Sequence, residues 1–143
     1  MVAEPNIALV VAACLSAIAA LLHVGIVIGG AQWYRFFGAG ERMVLAAAAG
    51  RVYPTIVTLG IATVLALWSA YALSGAGVIE PLPLLQWALI TITAIYLARG
   101  LAIVPLLVFA RSRSTPFFVW SSLVCIGFGA VHLLGLSQVW LLL

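Results

Sequence analysis

The sequence contains no lysine and no aspartate, and only 6% of its 143 residues are charged. A soluble domain is typically about 25% charged, because polar groups must cover its surface. Six arginines and three glutamates cannot provide that cover in a chain that is 66% hydrophobic. The scarcity of charge therefore excludes a soluble enzyme, a disordered chain and a nucleic-acid-binding protein, and it leaves an integral membrane protein.

Cysteine is also scarce. Cys14 and Cys125 lie in apolar segments, without a CxxC pair or a cysteine–histidine cluster, so we expect no metal site. The two histidines, His23 and His132, lie at different depths, more than about 10 Å apart along the membrane normal at the helical rise of about 1.5 Å per residue. Because bis-histidine haem needs two ligands at one depth, haem is disfavoured and we expect no cofactor.

Long apolar stretches are abundant, and four of them reach the roughly 20 residues that a helix needs to cross a bilayer. Pro54 and Pro116 stand at the start of two of these stretches, where a missing N–H is harmless, and Pro105 predicts a kink or break inside the third. We predict an all-α integral membrane protein, an antiparallel bundle of four transmembrane helices that forms a single domain over residues 1–143. The predicted helices cover about residues 6–30, 54–73, 84–110 and 117–139.

Residues 31–53, between the first two helices, have a different character. They begin with an aromatic run, continue through a Gly-Ala-Gly turn at 38–40, and include a short helix from Glu41 to Ala49 that Gly50 closes. We predict that this segment lies in the membrane interface or re-enters it. Its two possible roles are an interfacial anchor and a lid over a cavity on the cytoplasmic side.

Small residues recur at three- and four-residue spacing in the apolar stretches, and Gly25 and Gly29 form a GxxxG pair. Such stripes mark helix faces that pack against protein in a bilayer. His23 and His132 lie on these stripes, which predicts that both point into the bundle. A homo-oligomer that uses a remaining small-residue face is a further possibility.

The arginines predict the orientation, because positively charged loops stay in the cytoplasm. The first connection carries Arg35, Arg42 and Arg51 against one glutamate, and the third carries Arg111 and Arg113. We therefore expect both termini on the non-cytoplasmic side. In size and layout alone the chain resembles the small bacterial four-helix membrane proteins called DoxX-like. That resemblance carries over no residue and no activity, and the location that we expect is the bacterial inner membrane.

Arg99 is the most informative residue, because it lies well inside the third apolar stretch. An arginine there costs about 2.5–3.5 kcal/mol and needs a partner or a wet cavity. By the helical rise, Arg99 lies roughly 10–16 Å and His23 roughly 10 Å from the cytoplasmic end of its helix. On that side Glu41 is the only acidic residue, so a pocket would be net positive. The predicted ligand-binding residues are Arg99, His23, Glu41, Arg42, Arg51, Tyr53 and Tyr96.

A positive pocket within a membrane suits an anion with an apolar tail, because arginine forks match phosphate and carboxylate groups. The sequence therefore favours a protein that binds or transports a lipid, an acyl chain or an isoprenyl phosphate. The alternative reading of Arg99 is structural: it snorkels to the interface or pairs with Glu41.

Two other functions stay open, namely an accessory or assembly subunit of a larger membrane complex and a membrane-embedded enzyme that acts on a lipid or quinone. No catalytic residue is identified, and the sequence leans against an enzyme. The expected partners are membrane lipids, a second copy or a larger complex, and not nucleic acid.

Overall fold

The computed structural model describes residues 4–109 and 115–142. Helix makes up 84% of the chain, and the described residues contain no strand. The helices are α1 (Ile7–Phe36), α2 (Glu41–Ala48), α3 (Val52–Gly75), α4 (Leu85–Leu101), α5 (Ile103–Phe109) and α6 (Pro116–Val139), followed by a 3₁₀ turn at Trp140–Leu142. Four spans are long and apolar enough to cross a membrane: Ile7–Phe36, Val52–Gly75, Leu85–Phe109 and Pro116–Val139. The predicted four-helix membrane fold is confirmed. The predicted end of the third helix at Ala110, and Arg111 and Arg113, lie outside the described residues.

The described residues fall into two compact units. One is formed by residues 16–67 and is called the 16–67 unit below. The other contains residues 4–15 together with everything described from Trp68 onward, and is called the α4–α6 unit.

In the 16–67 unit, α1 changes direction at Gly30. This glycine has a φ of 64° and a ψ of −151°, a backbone conformation that side chains with a Cβ rarely adopt. Residues 31–36 continue α1 as a short helical piece beyond this kink.

That short piece and α2 pack on the ends of the long helices in the same unit. Tyr34, which is 2% exposed, forms a buried cluster with Ile26 and Val44. The hydroxyl of Tyr34 donates a 2.9 Å hydrogen bond to Oγ1 of Thr58 near the start of α3. The predicted segment between the first two spans thus forms a short helical layer beside the helix ends.

The GxxxG pair of α1 has a neighbour that its sequence pattern did not indicate. Around Gly25 and Gly29, the nearest atoms in the directions of the absent side chains belong to the indole of Trp33. Because the kink at Gly30 turns the chain back, Trp33 covers the small-residue face of its own helix. Within the 16–67 unit, the protein group that this face packs against is therefore a side chain of the same helix.

In the α4–α6 unit, α4 and α6 run antiparallel and in close contact. A side chain at Gly100 would lie 2.8 Å from the backbone nitrogen of Ile126, and one at Gly129 would lie 3.1 Å from that of Leu97. Such backbone proximity is typical of small-residue contacts between membrane helices. Gly100 and Gly129 therefore determine the register in which α4 and α6 pack.

The remaining elements of this unit close one end of the α4–α6 pair. Leu9 of α1 packs with Leu89 and Leu136 in a buried cluster. Asn6 caps α1 by accepting a 2.9 Å hydrogen bond from the backbone N–H of Leu9, and its amide donates to Gln138 of α6 over 2.8 Å. The start of α1 thus lies beside the end of α6, as the predicted antiparallel order requires.

The third span breaks where proline predicts it. Helix α4 ends at Leu101 and α5 begins at Ile103. Pro105 has no N–H to donate to the carbonyl of Leu101, so the regular hydrogen-bond ladder cannot pass this point. The helix after the next connection begins as predicted, because Oγ1 of Thr115 accepts a hydrogen bond from the N–H of Phe118 and Pro116 follows the cap.

Candidate functional site

The guanidinium of Arg99 is held by two serine hydroxyls across the α4–α6 interface. Its Nη1 donates to Oγ of Ser122 over 3.2 Å and its Nη2 donates to Oγ of Ser121 over 3.1 Å. Ser122 is fully buried, whereas Arg99 is exposed. Two adjacent residues of α6 thus fix the orientation of one cation on α4.

An aromatic ring adds to this orientation. The guanidinium carbon of Arg99 lies 4.6 Å from the ring centroid of Phe118, a distance typical of a cation–π contact. Phe118 also accepts, through its carbonyl, a 3.1 Å hydrogen bond from the hydroxyl of Ser121. The hydroxyl of Ser121 therefore both accepts and donates a hydrogen bond, which fixes its position beside the guanidinium of Arg99.

These contacts do not neutralise the positive charge of Arg99. Ser121, Ser122 and Phe118 are all neutral, and the two hydrogen bonds use two of the five N–H groups of a guanidinium. An exposed, oriented cation with further donors can form a bidentate contact with a carboxylate or phosphate.

Tyr96, the other predicted site residue in this unit, lies one helical turn before Arg99 and belongs to a buried aromatic cluster. Its ring contacts Trp68 edge-on, with the centroids 4.9 Å apart, and Phe128 at 5.4 Å. The imidazole of His132 lies 5.1 Å from the same ring. Tyr96 is 5% exposed, so it forms part of the packed interior beside Arg99.

His132 occupies the end of this cluster and is completely buried. Its Nδ1 lies 2.8 Å from the carbonyl oxygen of Phe128. Since a carbonyl oxygen only accepts, Nδ1 must carry the proton and donate it. In the neutral ring Nε2 is then an acceptor, and it has no hydrogen-bond partner in the structure as described.

The other five predicted site residues lie in the 16–67 unit. His23 is half-buried, and its Nδ1 donates to the carbonyl of Ala19 over 2.8 Å. The remaining four are exposed, two at the start of α2 and two at or just before the start of α3: Glu41, Arg42, Arg51 and Tyr53. Their role in a common site with Arg99 stays a prediction.

A surface cleft of about 500 Å³ also lies in the 16–67 unit, beside the kink of α1. Its lining is largely aromatic and carries no charge: Leu22, Gln32, Trp33, Phe36 and Phe37. Such a cleft suits apolar chains rather than an anionic headgroup.

Sequence reasoning missed the groups that surround Arg99 and His132. It sought a charged partner for Arg99, whereas the observed partners are Ser121, Ser122 and Phe118. The small-residue stripe of α6 contained a usable signal, because serine at helix-packing spacing is also a hydrogen-bond acceptor. The unpartnered nitrogen of His132 had no signal in the sequence.

Comparisons with protein-family models, with curated proteins and with solved structures found no match to this chain. Among the described residues, no group of three or more histidine, cysteine, aspartate or glutamate side chains could hold a metal ion.

Proposed function

We propose that this protein is a small membrane protein that binds or transports an anionic amphiphile, with Arg99 as the group that contacts the anion. The supporting observation is that two serine hydroxyls and one aromatic ring, all neutral, orient the exposed guanidinium. An anionic group would supply the opposite charge that these contacts do not.

The energetics favour an anionic visitor. An arginine within a membrane span costs about 2.5–3.5 kcal/mol even on the scale most tolerant of charge. Its hydrogen bonds to Ser121 and Ser122 recover part of that cost, and a carboxylate or phosphate would recover more. The apolar surfaces of the flanking helix segments would accommodate the tail, since Leu101 and Val104 are both more than half exposed. The ligand class is therefore a lipid, an acyl chain with its carboxylate, or an isoprenyl phosphate.

Native mass spectrometry of the purified protein tests this proposal. We expect a lipid-like anionic adduct on the wild-type protein, and we expect it to be lost in Arg99→Leu. Arg35→Leu is the matched control, because Arg35 is an exposed arginine near the end of α1, and this variant should keep the adduct. Arg99→Lys, which keeps the charge but not the fork, should retain it weakly.

Folding must be checked in the same samples, for example by the temperature at which each variant unfolds in detergent. A folded wild-type protein without any adduct would overturn the proposal, and so would an adduct that a folded Arg99→Leu variant retains in full.

For the cellular location we propose the bacterial inner membrane with both termini on the non-cytoplasmic side. The support is the concentration of arginines in the first and third connections, since such loops remain in the cytoplasm. A reporter that is active only outside the cytoplasm, fused after Leu143, should be active. A cytoplasmic signal from that fusion would reverse the topology.

A further inference from the structure

One buried group takes no part in the proposed anion contact. In the described part of the chain, Nε2 of His132 is the only buried side-chain nitrogen or oxygen atom without a hydrogen-bond partner. Because Nδ1 donates to the carbonyl of Phe128, Nε2 carries the free lone pair of the ring. A lone pair that no donor satisfies is unfavourable in a packed interior, and it is also a place where a proton can bind.

The charged and titratable groups around His132 determine how favourable a proton on its ring would be. On α4 the titratable or charged groups of this interface are Tyr96, whose ring touches the imidazole, and Arg99, one turn further on. On α6 itself there is Cys125, seven residues before His132. None of these groups is a carboxylate.

The other packed segments add no negative charge in the interior. Tyr71 of α3 donates its hydroxyl to the carbonyl of Pro83, and Cys14 of α1 is exposed. The glutamates of the unit, Glu4 and Glu80, are exposed as well. A protonated His132 would therefore be a buried cation in the same helix pair as a second cation, without a buried counter-charge among the described groups of this unit, and burial penalises such a charge strongly.

We propose that His132 takes up a proton on Nε2 when an anion binds at Arg99, so that the protein binds the anion together with a proton. This inference rests on the proposed function of Arg99. The anion removes the repulsion from Arg99 and supplies the missing negative charge, while the proton comes from the aqueous phase and breaks no other bond. The proton offsets part of the charge that the anion brings to the site.

The distance between the two groups sets the size of the coupling. Ser122, which binds the guanidinium, and His132 are ten residues apart on α6, so about 15 Å separates them along the helix. With an effective dielectric constant of about 20, two unit charges at that distance change a binding equilibrium by roughly sixfold. Coupling is reciprocal, so a proton on His132 strengthens anion binding by the same factor. Anion affinity should therefore rise as the pH falls.

The experiment uses the full chain in lipid nanodiscs and a fluorescent alkyl sulfonate as the anion, because a sulfonate keeps its charge at every pH tested. We expect the Kd of the wild-type protein to fall between pH 8 and pH 5, by up to about sixfold. His132→Gln should bind with a Kd that does not change over this range. Ser137→Ala, an exposed position of the same helix, should behave as the wild type.

A second measurement does not depend on whether His132→Gln folds. Calorimetric titration of the wild-type protein in two buffers of different ionisation enthalpy gives the number of protons bound with the sulfonate, and we expect an uptake of at most about 0.4 proton per sulfonate for a coupling of this size. Binding that requires Arg99 but takes up no proton, or a pH dependence that His132→Gln keeps, would overturn this inference and leave the proposed function intact. Binding that is indifferent to Arg99→Leu at every pH would overturn both.

Discussion

Arg99 of α4 donates a 3.2 Å hydrogen bond to the hydroxyl of Ser122 on α6, and Ser122 is completely buried while Arg99 is exposed. The pair therefore joins the packed interior of the α4–α6 unit to its surface. Because the acceptor is fixed in the interior, the guanidinium has a defined position rather than a range of rotamers. A defined position is what a binding group for an anion needs.

The first prediction concerns this hydrogen bond. Ser122→Ala removes the buried acceptor, and we expect it to lower the free energy of unfolding by about 0.5–1.5 kcal/mol, the range typical of a hydrogen bond between membrane helices. Unfolding of the purified protein in detergent or mixed micelles measures the change. The control is Ser137→Ala, because Ser137 is exposed and donates only to Leu134 in its own helix. Equal stability of the two variants would show that the Arg99–Ser122 bond contributes nothing.

The second prediction concerns the close approach of α4 and α6. The added methyl group of Gly100→Ala would lie 2.8 Å from the backbone nitrogen of Ile126 and 3.0 Å from the carbonyl oxygen of Ser122. Backbone atoms cannot move aside as a side chain can, so the helices must separate, and we expect a loss of about 1–3 kcal/mol. The Arg99–Ser122 hydrogen bond should lengthen as well, and anion binding should weaken in parallel.

Gly127→Ala is the matched control for Gly100→Ala. A side chain at Gly127 would meet no atom within 4 Å, and this position is exposed on α6. Because alanine favours a helix over glycine by about 0.8–1 kcal/mol, this variant should be as stable as the wild type or more so. Thermal unfolding curves of the two variants, recorded side by side, separate steric contact from helix propensity. A Gly100→Ala protein that is no less stable than Gly127→Ala would contradict the close approach.

The features that the sequence predicted correctly depend on residues that lie close together in the sequence. Pro105 breaks the third span because it lacks an N–H for the carbonyl four residues earlier. Thr115 and Pro116 begin α6 because they supply the cap and the first residue of a helix. Hydrophobic length alone indicated the four spans, since a bilayer requires about 20 apolar residues for each.

The features that escaped prediction depend on how helices are rotated against one another. The stripe of small residues on α6 that includes Ser121 indicated a packing face, but it did not include Ser122. The identity of the residue opposite depends on a register that the glycines of both helices determine. The position of Trp33 over Gly25 and Gly29 depends on the angle of the kink at Gly30. The unpartnered Nε2 of His132 depends on every residue around it. Such contacts produce no repeating pattern in the sequence from which they could be predicted.

The last prediction concerns the segment between the first two spans. The hydroxyl of Tyr34 donates a 2.9 Å hydrogen bond to Thr58, and both residues are at most 5% exposed. Tyr34→Phe keeps the ring among Ile26 and Val44 but leaves the threonine oxygen without its donor. We expect a loss of about 1 kcal/mol, together with faster amide hydrogen exchange in α2, because this bond ties the segment to α3. Tyr53→Phe, at a position 63% exposed, should change neither quantity. Unaltered exchange in α2 of the Tyr34→Phe protein would mean that apolar packing alone holds the segment.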